Sequence, residues 1–170
     1  MRSTVVILGV VGLTSLAASA HAHPVPRLYT AIGPETAWDP LSSQVLVGGT
    51  ILLGLGSDPE RGSLLMRSDT LAAWSGDGVT RVAMGVSILY RTVLRDEGRG
   101  VWSLALGPGE LFVIDEKDLI WSTAGLRGEL GVRFGAVRFS AFALTGITLG
   151  RDVRVPWGGP FGLTIDLGVP

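Results

Sequence analysis

The sequence predicts an all-β fold, an antiparallel up-and-down transmembrane β-barrel of about eight strands. Three observations predict it. Apolar residues recur with period two in segment after segment, the signature of strands with two unlike faces. The polar face of those segments is mostly Gly, Ala, Ser and Thr with isolated Arg, Glu and Asp, and the single lysine, Lys117, falls in a turn. A solvated face would hold many Lys and Glu, whereas small residues and scattered charges suit the narrow lumen of an eight-stranded barrel. Finally, only 17% of the 170 residues are charged, 25 are Gly, and the mean hydropathy is +0.43. An apolar face turned to lipid and a polar lumen accommodate all three.

The N-terminus reads as a secretory signal peptide. Arg2 supplies a positive start, Val5 to Leu16 is almost wholly apolar, and Ala17-Ala18-Ser19-Ala20-His21-Ala22 offers cleavage after Ala20 or Ala22. The apolar run is shorter than the ~20 residues of a spanning helix, and Pro24 and Pro26 follow at once. Residues 1–22 are therefore expected to be removed, leaving 23–170 as one barrel domain.

The strands follow in order. Arg27 to Gly33 is a short first strand. Gln44 to Gly56 sets Val45, Val47, Ile51, Leu53 and Leu55 against Gly48, Thr50, Gly54 and Gly56. Ser63 to Trp74 places Leu64, Met66, Ala72 and Trp74 opposite Arg67 and Asp69. In Arg81 to Arg91, the clearest segment, Val82, Met84, Val86, Ile88 and Tyr90 share one face. Val101 to Ile114 begins with Trp102, Leu104 and Leu106 in phase, and a slip at Pro108-Gly109 predicts a bulge or kink there. Leu126 to Phe134, Ala136 to Leu149 and Phe161 to Val169 complete the set. Turns are expected near 34–43, 57–62, 75–78, 95–99, 115–118, 135 and 151–159. With both termini periplasmic, the 34–43, 75–78, 115–118 and 151–159 turns would face outward, and the two longest connections would share that side.

Signal peptide, length, eight amphipathic strands and short connections together resemble the small outer-membrane β-barrel proteins of Gram-negative bacteria, the outer-membrane protein A-type barrels. The resemblance is architectural and spans the whole mature chain. It implies outer-membrane localisation, surroundings of lipid bilayer and lipopolysaccharide, and insertion by the barrel-assembly machinery. Such barrels usually end on an aromatic residue, whereas this chain ends Leu167-Gly168-Val169-Pro170. Trp74, Tyr90, Trp102 and Phe134, near strand ends on the apolar parity, are candidate interfacial aromatics. Trp121 has the opposite parity and belongs either beyond the hydrocarbon or inside.

No catalytic set is legible. The only histidines, His21 and His23, flank the cleavage site, so a Ser-His-acid arrangement on the wall is excluded. Cleavage after Ala20 would expose His21-Ala22-His23, a sequence able to bind Cu(II) or Ni(II), but a processing remnant is the simpler reading. Absence of Cys removes thiolate metal sites, disulfides and cysteine nucleophiles. Asp115, Glu116 and Asp118 around Lys117 read as a solvated turn rather than a calcium loop. Gly107-Pro108-Gly109 and Gly158-Gly159-Pro160 lack the strand-to-helix setting of a phosphate loop. A net charge of −1 gives no nucleic-acid footprint. No enzyme, metal or cofactor is expected.

The candidate site is the set of luminal charges: Arg81, Arg91, Arg127, Glu129, Arg133, Arg138 and Asp166. Inside a narrow barrel these must pair or meet water. A paired plug with a structural or interaction role is the primary expectation, with Arg138 and Arg91 on neighbouring strands as the partners of Glu129. Five arginines against two acids also allow a narrow, porin-like, anion-attracting pore. A different class is a secreted or periplasmic lipocalin-like barrel, in which Val86, Ile88, Leu163 and Ile165 would line an apolar cavity.

Overall fold

The computed structural model describes residues 26–39, 43–75, 78–115, 118–150 and 154–169. Residues 1–22, expected to be a signal peptide, lie outside that set, as do His23, Glu116 and Lys117. Nine strand segments follow one another: β1 (Arg27–Asp39), β2 (Gln44–Gly56), β3 (Ser63–Ser75), β4 (Gly78–Asp96), β5 (Val101–Asp115), β6 (Asp118–Phe134), β7 (Val137–Gly150), β8 (Arg154–Gly158) and β9 (Phe161–Val169). Each strand from β2 to β7 pairs antiparallel with its predecessor, and β9 joins β7 to β1 and closes the cylinder. The short β8 pairs with β7 just before β9 does, so the two segments together form the eighth stave. The protein is an all-β, closed, eight-stranded antiparallel barrel, and among the described residues it has no helix.

Alternation of side chains settles which face is inside. Val86, Ile88 and Leu163 are exposed at 46%, 51% and 62%, while Ala83, Leu89 and Arg91 on the opposite parity of β4 are buried. The same holds around the wall, with Ile32, Val45, Ile51, Met66, Leu106, Leu126, Phe139 and Leu167 all exposed. The lipocalin-like reading needed the apolar face of β4 and β9 inside. The wall is inverted relative to it, with apolar residues out and charges in. In the body of the described outer wall the one charged side chain is Glu110, half-buried and paired in register with Val86 and Ala124.

Several boundaries differ from the sequence expectation. The first strand runs on to Asp39, because Pro34 does not stop it. Pro34 faces outward opposite Gly49 of β2, and on its other side the ladder to β9 simply skips from Ile32↔Leu167 to Glu35↔Thr164. A proline is tolerated in a strand where the missing N–H leaves only a local gap. The 34–43 turn accordingly shrinks, and β8 occupies half of the 151–159 turn, so that end of the barrel does not bear two long loops.

The bulge expected at Pro108-Gly109 is absent too. The β4–β5 register is the same on both sides of Pro108, from Ser87↔Gly109 to Tyr90↔Leu106. Irregularities lie instead between Val93 and Arg95, and between Val113 and Ile114. The apparent slip arose because Leu111 and Val113 are apolar yet point inward, where they are buried. Gly135 makes the two-residue β6–β7 turn with a φ of 59°, a conformation open to Gly and costly to other residues.

The lumen is layered. Toward the end where β3 finishes and β4 begins, Ala37, Leu46, Leu71, Leu111, Val113, Trp121 and Leu144 form an apolar stopper. Trp121 thus packs inside. On one wall below the ionic centre, Leu52, Leu65, Leu89 and Ala105 form a second apolar cluster, against which Tyr29 packs. Tyr29 and Gly54 are register partners, and a Cβ on Gly54 would sit 1.9 Å from the Tyr29 ring. The ring occupies the groove that the glycine leaves.

Candidate functional site: the ionic lumen

Inward positions near the middle of β1, β3, β6 and β9 bring Glu35, Arg67, Asp69, Arg127, Glu129 and Asp166 together. All six are buried, and Arg67 has no exposed surface. Arg67 Nε lies 2.9 Å from Glu129 Oε1, its Nη2 donates to Asp166 Oδ2 at 2.7 Å, and its Nη1 donates to Thr50 Oγ1 at 3.1 Å. Arg127 donates from Nε to Glu129 Oε1 at 2.9 Å, from Nη1 to Asp69, and from Nη2 to Glu35 Oε2 at 3.4 Å. Its guanidinium stacks 4.2 Å from the centroid of Phe142, so its flat face meets an aromatic ring while its edge meets carboxylates. Thr50 Oγ1 donates to Asp69 Oδ1 at 2.8 Å. Each guanidinium fork is thus shared among carboxylates from several strands, which ties opposite walls together across the lumen.

A second cluster fills the mouth where β1 begins and β9 ends. The β2–β3 connection turns into the barrel there and buries Glu60. Arg138 Nη1 donates to Glu60 Oε2 at 2.9 Å and to Ser103 Oγ at 2.8 Å; Ser103 in turn donates to Glu60. Arg91 Nη1 lies 3.5 Å from Glu60 Oε1 and 3.4 Å from the Pro59 carbonyl oxygen. Arg133 Nε is 3.7 Å from the same carboxylate. The Arg138 guanidinium lies over Gly131, where a Cβ would come within 2.5 Å of Nη2.

Among the sequence-named charges, Arg91, Arg127, Glu129, Arg138 and Asp166 are buried, while Arg81 and Arg133 keep 23% and 24% of their side chains exposed. Arg81 sits apart, 3.9 Å from Asp39 near the opposite end. The pairing expected for Glu129 differs. Its close partners are Arg127 on its own strand and Arg67 from across the lumen, Arg91 remains at 3.9 Å, and Arg138 binds Glu60 instead. A barrel only eight strands wide lets a long arginine reach the far wall, so cross-strand adjacency alone does not select partners.

Four members of these clusters were not in the named set. Arg67 and Asp69 had the right parity and could have been included. Glu35 fell in a stretch read as a turn, and Glu60 lies in a loop, where sequence gives no sign that the chain folds inward. With them the excess of arginine over acid falls from three to one. Tyr90, Trp102 and Phe134 are exposed on the outer wall, and Phe161 with its register partner Trp38 lies toward the other end. The side chain of Trp74 lies outside the described residues.

At the rim, Arg61 of the β2–β3 connection and Asp96, the last residue of β4, pair at 2.5 Å. The backbone N–H of Gly98, and then Arg61, hold the Asp96 carboxyl below its usual range.

No protein-family model matches the chain, and no curated protein matches it. Among solved structures it is similar to the crystal structure of Ail, the attachment invasion locus protein of Yersinia pestis. The TM-score is 0.46 at 13% identity, over 84% of this chain and 97% of that one.

Proposed function

We propose that the chain is an outer-membrane β-barrel protein with a structural or interaction role, exported through its N-terminal signal peptide, whose lumen is a paired polar plug. The observation that supports this most is the inverted wall: exposed Leu, Ile, Val and Phe all round a barrel whose charges are buried inside. Water would solvate the charges and hide the apolar belt; lipid reverses both preferences. Tyr90, Trp102 and Phe134 near one rim, with Trp38 and Phe161 toward the other, suit the two headgroup zones.

The plug is favoured over a pore by the filling of the lumen. Among the described residues, one cavity of about 40 Å³ lies at the mouth and one of about 10 Å³ beside Glu35 and Phe142, and an apolar stopper fills the other end. A binding or scaffolding role then rests on the rims and the outer wall, and no catalytic constellation is proposed. Planar-bilayer recording tests the plug directly. The purified protein should show no steady conductance, and Glu129→Gln should not create an anion-selective one. Steady anion-selective channels in the wild type would replace the plug with the pore.

A further inference from the structure

The two ionic clusters differ in charge balance. In the centre, Arg67 and Arg127 lie among four carboxylates, Glu35, Asp69, Glu129 and Asp166. At the mouth, Arg91, Arg133 and Arg138 surround the buried carboxylate of Glu60, with Asp58 at the rim 3.9 Å from Arg133 and Asp166 in register with Arg138. A cavity of about 40 Å³ adjoins that cluster and is lined by Tyr29, Glu60, Arg91, Arg133, Arg138 and Asp166. Arg91 Nε and Nη2, Arg133 Nε and Arg138 Nη2 are buried there without hydrogen-bond partners, as is Asp166 Oδ1, while Arg133 Nε lies 3.7 Å from Glu60 and Arg91 Nη2 3.9 Å from Glu129. A guanidinium N–H left without a hydrogen bond away from water is costly, and donors of three arginines gathered at one cavity form an incomplete anion cradle. The volume corresponds to about three water-sized positions, the scale of a tetrahedral oxyanion's oxygens.

We infer that this mouth is a binding site for a phosphate group, in which Glu60 is the resident carboxylate and the three arginines supply charge and donors for a second, exogenous anion. Arg133, a quarter exposed, stands on the entry side, whereas Arg91 and Arg138 lie deeper. Arginine forks match phosphate oxygens bidentately, which favours phosphate over a spherical ion such as chloride. Glu60 holds Nη1 of Arg91 and of Arg138 and its charge opposes a second anion, so the site would bind tightly only when that carboxylate is neutralised or swung aside. The group can belong to free phosphate or to a lipid headgroup at the rim. The inference rests on the mouth geometry alone and stands whether or not the barrel conducts.

The test uses the mature chain folded in detergent, with its unfolding temperature followed against inorganic phosphate and against chloride at matched ionic strength. Phosphate should raise the transition beyond chloride. Arg133→Gln should weaken apparent phosphate affinity about tenfold. Glu60→Gln should strengthen it by a similar factor even if it lowers the starting transition, because it frees donors; a purely structural Glu60 would lower the transition with no gain in phosphate response. Short-chain phosphatidic acid forms the second arm. Displacement of phosphate at lower concentration identifies a headgroup source, and equal or weaker displacement identifies free phosphate. Indistinguishable phosphate and chloride responses in both the wild type and Glu60→Gln would overturn the site, as would unchanged affinity in Arg133→Gln. If Arg133→Gln does not fold, the wild-type and Glu60→Gln titrations decide.

Discussion

Glu129 shows how much one side chain can organise in a lumen this narrow. Its two oxygens meet Arg67 and Arg127 at 2.9 Å to 3.3 Å, and those arginines reach on to Asp69, Asp166 and Glu35. Replacing it with Gln keeps the shape and removes the charge, so two buried guanidinium groups lose their shared partner. Breaking a buried pair costs ~3–5 kcal/mol, and Glu129→Gln should destabilise the detergent-folded barrel toward that range in thermal or urea unfolding. An unchanged transition would mean that the carboxylate contributes nothing to holding the arginines. Tyr29 and Gly54 allow a second check. Gly54→Ala forces its methyl into the ring, an overpacking expected to cost ~1–3 kcal/mol, and Tyr29→Ala opens the space again. The double variant should therefore be less destabilised than the two single effects added, measured by the same unfolding cycle. Residue parity was legible for most of these positions because period two assigns every strand residue a face. Partner choice was not, because it depends on which arginines can cross the lumen, and Glu60 was invisible because a loop has no parity.

At the scale of the strand, the alternation of β4, β7 and β9 could be read straight from the sequence, since their outward residues are apolar and their inward ones small or charged. β1 and β5 were harder for opposite reasons. Pro34 suggested an end where the ladder tolerates a gap, and the inward Leu111 and Val113 looked like a change of phase where the lumen itself is apolar. Both errors come from treating a local composition change as a structural break. The outer wall gives a paired prediction. Ile88→Arg places a charge in the middle of an apolar strand face and should cost ~2–4 kcal/mol in a bilayer. Glu110→Leu removes the one charge in the body of the described outer wall, half-buried beside Val86 and Ala124, and should be neutral or stabilising. Folding titrations in lipid vesicles measure both. A destabilising Glu110→Leu together with a harmless Ile88→Arg would place solvent where the apolar wall implies acyl chains.

For the whole molecule, closure matters as much as composition. Pairing of β1 with β9 leaves the cylinder without a free edge, which satisfies the backbone internally, the condition for a sheet to sit in hydrocarbon. An apolar stopper, an ionic centre and a loop turned into the mouth lie inside the cylinder, while the described outer wall is apolar. The central claim is that this outer wall belongs in a membrane. Fractionation of cells expressing the full chain tests it most directly: the mature protein should sediment with the outer membrane, resist extraction by salt and alkaline carbonate, and be released by detergent. Quantitative recovery in the soluble periplasmic fraction without detergent would contradict it.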